Sequence, residues 1–253
     1  MGAESQLKMF VTGPAGEGKS TAINVTQKFC FEFCRALAFP WDKNTFLFTA
    51  ITGCAATLFD GVTLDSAAFL NSKSLTVTPA MIKQWKNAKL LIVDEISFLT
   101  EDQMNKLSNN LNMICGRIGI PDYIDPTNMV YGGYSVIFSG DFRQIPPVKC
   151  PDSKLLYRNG GLLENSINVA IFLKSSHRFR DDPEFGRRLN RMCRGEFDED
   201  DCNYINQRKN VQLPSLSPEE DIAYACHTNA ERTAIHATNF QKDITDFPSV
   251  ESS

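Results

Sequence analysis

Histidine and tryptophan are scarce in this chain of 253 residues, with three and two copies, and long apolar runs are missing. No stretch approaches the roughly 20 apolar residues that span a bilayer, and the N-terminus lacks the charged-then-apolar pattern of a secretory leader. A soluble, intracellular protein is expected, with no membrane partner. The histidines, His177, His227 and His236, have no metal-ligand spacing. The eight cysteines, Cys30, Cys34, Cys54, Cys115, Cys150, Cys193, Cys202 and Cys226, include no C-x-x-C pair. Reduced, mostly buried thiols are therefore expected, and no structural zinc. A positive surplus is also missing: 26 Lys and Arg against 30 Asp and Glu leave a net charge of −4, which disfavours generic polyanion binding. A hydrophobic share of 42% and a charged share of 22% belong to a globular chain long enough for one large domain or two small ones.

What is present begins at Met9 to Ile23, MFVTGPAGEGKSTAI. Leu7, Met9, Phe10 and Val11 suit a short buried strand, and Ala22, Phe29, Cys30, Phe33, Cys34 and Leu37 fall mostly at helical spacing. Between them stands G-x-x-x-x-G-K-S: Gly13, Pro14, Ala15, Gly16, Glu17, Gly18, Lys19 and Ser20, followed by Thr21. Strand, glycine loop and helix make a phosphate-binding loop. Its glycines let backbone N–H groups converge on phosphates, Lys19 reaches the β- and γ-phosphates, and Ser20 offers a hydroxyl to Mg²⁺. The helix adds its positive N-terminal end. A merely structural glycine turn gives Lys-Ser no purpose at that point.

A second strand is expected over Thr45 to Ala50. Thr49, Thr52, Gly53 and Thr57 follow or close it, either as a ligand-binding rim at a strand's C-terminal end or as a Thr-rich cap on a helix over Ala55 to Phe59. Thr78 and Pro79 open a helix through Trp85. Leu90 to Val93 is an apolar strand ending in Asp94-Glu95, the acidic half of a nucleotide-hydrolysis site: Asp94 for the metal, Glu95 for the attacking water. Glu101 to Ile114 is amphipathic, with Met104, Leu107, Leu111 and Ile114 on one helix face, and 116–133 is irregular. A strand at Tyr134 to Phe138 runs into SGDFRQIPPV, where two prolines restrain the backbone beyond Gln144 and hold its amide where it could sense a γ-phosphate. A fifth strand at Asn168 to Leu173 leads to His177-Arg178-Phe179. This alternation predicts an α/β fold with a parallel sheet and helices on both faces. Pro183 to Met192 reads as a helix, Arg194 to Asn210 as a charged connector, Ile222 to Cys226 as a strand and 227–240 as a helix. The basic run from Lys174 to Arg194 is a solvated helix face or a phosphate-contacting surface.

In this order the motifs GPAGEGKS, TAITGCAA with GVTLDS, LLIVDEISFL, YGGYSVIFSGDFRQIPPV and L-x-x-x-HRF resemble the Pif-family, RecD-like DNA helicases of superfamily 1, including those of rolling-circle transposons. The resemblance covers nearly the whole chain. It implies a RecA-like, P-loop NTPase domain over 1–176, then, over 177–253, a connector and the incomplete start of a second RecA-like domain. It implies ATP and Mg²⁺ as cofactors, with Lys19 and Ser20 on phosphate and metal, Asp94 on the metal, Glu95 on the water, Gln144 on the γ-phosphate and Arg178 as an arginine finger from the second domain's edge. Thr52, Gly53 and the GVTLDS loop with Asp65 would lie along single-stranded DNA, and a eukaryotic member would be nuclear or mitochondrial. Asp65 stands where the family carries histidine. The short stretch from Met1 to Gln6 leaves little room for the family's adenine-reading glutamine region.

The leading expectation is the ATP-binding portion of a 5′-to-3′ DNA helicase, present as a truncated copy with weak or no unwinding alone and needing a partner for the missing lobe. Two alternatives are a non-motor nucleotide switch and a noncatalytic DNA-binding remnant using Arg187, Arg188 and Arg191.

Overall fold

Strand and helix alternate along the chain in a computed structural model that describes residues 6–14, 16–39, 42, 44–119, 129–157, 161–174, 178–207, 228, 230–234 and 237. Two compact units divide it, Met1–Phe197 and Asp198–Ser253. In the first, β1 (Lys8–Thr12), α1 (Lys19–Ala36), β2 (Phe46–Ala50), α2 (Gly53–Thr57), β3 (Val62–Thr63), α3 (Leu64–Ala68), α4 (Pro79–Trp85) and β4 (Leu90–Asp94) are followed by α5 (Glu101–Ile118), β5 (Ser135–Gly140), α6 (Leu162–Ser166), β6 (Val169–Phe172) and α7 (Pro183–Arg194). All pairings in the sheet are parallel, in the order β3-β2-β4-β5-β1-β6.

Side chains alternate across this sheet, as strand pleating requires. Leu47, Leu91, Val93, Val136 and Phe138 pack with Leu64, Trp85, Met104, Leu107, Leu111 and Ile114 from α3, α4 and α5. The opposite face, with Phe48, Ala50 and Ile92, meets Ile23 of α1 and Ala55 and Ala56 of α2. Helices thus cover both faces, as the alternation of elements implies, and the apolar stripe read on α5 is the one buried. Edge strand β6 is the exception: all four of its residues are exposed.

The helix starts follow local chemistry. Thr78 caps α4 with Pro79 in its first turn, the position where a missing N–H costs nothing. Thr100 and Gln103 form a reciprocal capping box at α5, which satisfies two otherwise orphaned donors.

Three elements differ from the sequence expectation. Strand β3 pairs with β2 through only two residues, too few to show any periodicity. The charged stretch after Arg194, expected as a connector, contains helix α8 (Glu199–Asn206) in the second unit, opened by an Asp198–Asp201 capping box. The acidic cluster there complements the positive helix start. Helix α7 does not present a uniform basic face: Arg188 is buried and paired with Glu184 one turn earlier at 2.7 Å, and Arg194 sits 3.5 Å from Glu196. Residues 120–128 of the stretch expected to be irregular, the Ile222 to Cys226 strand and most of the helix expected over 227–240 lie outside the described residues; 116–118 continue α5, and 230–234 are helical. No helix among the described residues is long and apolar enough to cross a membrane.

Candidate active site

Because every strand is parallel, the residues that follow β1, β2, β4, β5 and β6 emerge on one rim, the edge where open α/β sheets bind ligands. Thr12 pairs with Gly140 and with Phe172, and Ala50 with Asp94, so the loops beyond these strands are neighbours. They enclose a cavity of about 920 Å³ lined by Gly16, Gly18, Lys19, Ser20, Thr21, Asp94, Glu95, Ser97, Gly140, Asp141, Gln144 and Arg178. Residues scattered from position 16 to position 178 meet in this one space.

The loop after β1 has the backbone its glycines permit. Gly16 and Gly18 have φ of +86° and +90°, in the region that L side chains rarely adopt. Gly16 also lies against Arg178: a Cβ there would stand 2.3 Å from the arginine's Cβ. Any side chain at position 16 would push Arg178 from the cavity. Helix α1 begins immediately after Gly18 with no side-chain cap, which leaves its first N–H groups available to an anion.

Lys19 Nζ donates to the carbonyls of Gly13 and Pro14 at 2.5 and 3.0 Å. Burial lowers its pKa, while Asp141 and Asp94 act in the opposite sense. Asp94 is itself buried and accepts the Glu95 N–H at 2.9 Å. Glu95 takes a left-handed backbone, φ +61°, an uncommon conformation for a residue with a Cβ. It turns the chain sharply at the strand end and brings the carboxylate to the cavity wall. Gln144 is held through its backbone, its N–H donating to the Asp141 carbonyl at 3.0 Å. The Ser97 hydroxyl, which also lines the cavity, is buried with no hydrogen-bond partner among the described residues. Such a group calls for water or a polar ligand.

These donors suit Mg²⁺. That ion prefers hard oxygen ligands, keeps several waters and needs only one or two carboxylates; Asp94 and the Ser20 hydroxyl offer that set in one cavity. Among the described residues there is no cluster of three or more His, Cys, Asp or Glu side chains that would favour another metal.

Of the expected phosphate and metal residues, Gly16, Gly18, Lys19, Ser20, Thr21 and Asp94 line the cavity, as do Glu95, Gln144 and Arg178, the last within the first compact unit. Gly13, Pro14 and Glu17 lie behind it, beside a second hollow that includes Phe142 and Arg143. Ala15 is outside the described residues. Thr52 caps α2, Gly53 opens that helix with nothing within 4 Å of where a Cβ would stand, and Asp65 sits in the first turn of α3. None of these three lines the cavity. Gln6 is occupied at the opposite end of β1, donating to the carbonyls of Val130 and Tyr134 at 2.9 and 2.7 Å.

Sequence reasoning passed over two features, the side chain of Asp141 and the burial of Glu17. Asp141, buried at the end of β5, accepts from the backbone and side chain of Arg143, each at 3.1 Å; its place directly after an apolar strand was the available signal. Glu17 is only 8% exposed, and its Oε2 has no hydrogen-bond partner among the described residues. Burial raises its pKa, against the lowering influence of Arg143 and Lys19. A carboxyl with a folded pKa above its unfolded value, near 4.3, costs stability at higher pH and nothing once both states are protonated. Glu17→Gln is therefore expected to raise the thermal midpoint at pH 8, with the gain shrinking as pH falls toward 4. Melting curves across that range check it; an unchanged midpoint at pH 8 would contradict it.

Fold and rim together define a phosphate-loop NTPase with a RecA-like parallel sheet. Comparison then narrows the class: the model of the family described as PIF1-like helicase matches residues 2–168, and the chain belongs to that family. It is similar to the ATP-dependent DNA helicase PIF1 of Saccharomyces cerevisiae, 29% identical over 232 residues, with 87% of this chain and 24% of that protein covered. Among solved structures it is similar to the Pif1 helicase from Bacteroides in complex with ADP-AlF3 and ssDNA, with a TM-score of 0.71, 22% identity and coverage of 94% of this chain and 54% of that one. The Pif1 helicase from Candida albicans superposes with a TM-score of 0.68 at 25% identity, covering 96% of this chain and 52% of that one. The chain thus spans about a quarter of the curated relative's length and about half of the solved chains.

Proposed function

We propose that this chain binds ATP with Mg²⁺ in the rim cavity and hydrolyses it, in a cycle coupled to single-stranded DNA, as part of a 5′-to-3′ DNA helicase. The observation that carries the proposal is the meeting of Lys19, Ser20, Asp94, Glu95, Gln144 and Arg178 in one cavity of a chain in the PIF1-like helicase family.

Each residue has work that its position suits. Backbone N–H groups of Gly16, Gly18, Lys19, Ser20 and Thr21, which line the cavity, cradle the phosphates. Lys19 exchanges the Gly13 and Pro14 carbonyls for phosphate oxygens. Ser20 and Asp94 would hold Mg²⁺, which when bound would supply positive charge against the phosphates. Glu95 accepts a proton from water as that oxygen bonds to the γ-phosphorus and the bond to the ADP oxygen breaks. Gln144 contacts the γ-phosphate, and Arg178 stabilises charge on the transferring group. Thr52, Gly53 and Asp65 follow β2 and β3 on the same rim, a suitable path for a nucleic-acid backbone; the Bacteroides relative was crystallised with ssDNA.

The reading that places DNA on Arg187, Arg188 and Arg191 loses support from the burial of Arg188 and its pairing with Glu184. We take residues 1–176 as the ATP-binding domain and 177–253 as a connector leading into a second lobe. Strand separation belongs to the proposal for a protein in which the remaining length of the relatives is supplied, within the polypeptide or by a partner.

ATP turnover measured with and without an oligothymidylate strand tests this reading. Stimulation of about fivefold or more, the lower range of ordinary site-to-site coupling, is expected. Equal turnover in both conditions would leave a non-motor nucleotide switch, and no turnover in either would overturn the proposal.

A further inference from the structure

The side chain of Thr52 does two things at once. Its hydroxyl oxygen accepts the Ala55 N–H at 3.3 Å, capping α2, and its proton is donated to Glu95 Oε2 at 2.7 Å. A hydroxyl has two acceptor lone pairs but one proton. Capping uses a lone pair, so the proton is left for the carboxylate and neither bond excludes the other.

The sheet fixes this pair in register. Ala50 is opposite Asp94 in the β2–β4 ladder, and one further bond, Ile51 N–H to the Asp94 carbonyl at 3.2 Å, carries the pairing beyond the last strand residues. Thr52 and Glu95 follow directly on that bonded pair, just beyond the ends of β2 and β4. On the β4 side the left-handed turn of Glu95 is closed by the Phe98 N–H donating to its carbonyl at 3.0 Å. Both backbones are thus set before the side chains meet. What remains free is the Glu95 side chain, whose several rotatable bonds would otherwise let its carboxylate wander along a wide cavity.

We infer that Thr52 is a positioning residue for the hydrolysis step, its hydroxyl proton holding one oxygen of Glu95 so that the other faces the cavity. The inference rests on the assignment of Glu95 as the group that takes the water's proton. It gives Thr52 a role separate from any contact with nucleic acid, and it gives the hydroxyl a use beyond the cap, which Asn or Asp could also supply to α2.

Three variants separate proton donation from capping. Thr52→Val removes both. Thr52→Asp keeps an acceptor for the Ala55 N–H but offers Glu95 a like charge in place of a proton. Thr52→Ser keeps both. Steady-state ATP turnover with oligothymidylate, together with thermal melting, is measured for each. In Thr52→Val and Thr52→Asp the expected result is a kcat lower by about tenfold, within the range that small misplacement of a catalytic group costs. KM for ATP stays within about threefold of wild type because substrate binding is left alone. Thr52→Ser, which keeps both bonds, melts with the wild type and recovers most of the lost kcat. Wild-type kcat in Thr52→Asp, a rise in KM with kcat unchanged, or a loss in Thr52→Ser equal to that in Thr52→Val would overturn the inference while leaving the proposed function standing. A wild-type chain that does not turn ATP over would overturn the proposed function, and the inference with it.

Discussion

Glu95→Gln is expected to retain ATP binding and to lose about 10²- to 10⁴-fold in turnover, the range that a positioned general base supplies. The amide keeps nearly the same shape and can still take the Thr52 hydroxyl proton, so the hydrogen bond at 2.7 Å and the left-handed turn at Glu95 survive the change. What it cannot do is accept a second proton from water. The loss should fall on kcat with KM for ATP little altered, the sign of an interaction made only in the transition state. Steady-state kinetics beside a nucleotide-binding titration checks both halves. Turnover within a fewfold of wild type would move the proton acceptor elsewhere on the rim, with buried Asp141 the next carboxylate along the cavity wall.

Lys19→Ala should act one step earlier and weaken ATP affinity severely. Lys19 is the cavity residue whose ammonium group is already turned toward loop carbonyls, Gly13 and Pro14, and it stands among Asp94, Asp141 and Glu17. Its removal leaves three acidic side chains on the cavity wall, Asp94, Glu95 and Asp141, and loses a charge-assisted contact to phosphate. Truncating one partner of such a charged pair costs about 2–5 kcal/mol, which is about 30-fold to several thousand-fold in Kd. A fluorescent ATP analogue titrated in the presence of Mg²⁺ reads the effect. Gly13 is buried, so thermal melting of the variant beside the wild type separates lost binding from lost folding. An Lys19→Ala affinity within a fewfold of wild type would contradict the role assigned to this side chain.

Much of the rim could be read before any coordinates because its chemistry is written in short contiguous motifs. G-x-x-x-x-G-K-S between an apolar run and a helical stripe needs no long-range information. Neither does a carboxylate pair at the end of Leu90 to Val93. Parallel pairing then did what the motifs could not: with all strands running the same way, Lys19, Glu95, Gln144 and Arg178 had to emerge on a common edge.

What stayed hidden depends on partners distant in sequence or on elements too short to leave a pattern. Strand β3 is two residues long and exists because Thr49 and Ala50 lie beside it. Thr52 offered two readings, helix cap or ligand rim; the cap is present, and its bond to Glu95, 43 positions away, could not be read from either. The charge run through α7 hid an i,i+4 pair, Glu184 with Arg188, that spacing alone could have revealed. Likewise Asp198 and Asp201 have the spacing of a capping box, yet the density of acidic residues suggested a connector. Glu17 was placed among the phosphate-loop residues by position, whereas its side chain turns inward and leaves the cavity to its neighbours. A motif specifies backbone roles well, and the direction of a variable side chain within it poorly.

The most direct measurement is a side-by-side titration of wild type, Glu95→Gln and Lys19→Ala with a fluorescent ATP analogue and Mg²⁺. One shared pocket with divided labour predicts saturable binding by wild type, nearly equal binding by Glu95→Gln and binding weaker by about 30-fold or more for Lys19→Ala. Loss of binding in both variants, or retention in both, would contradict it.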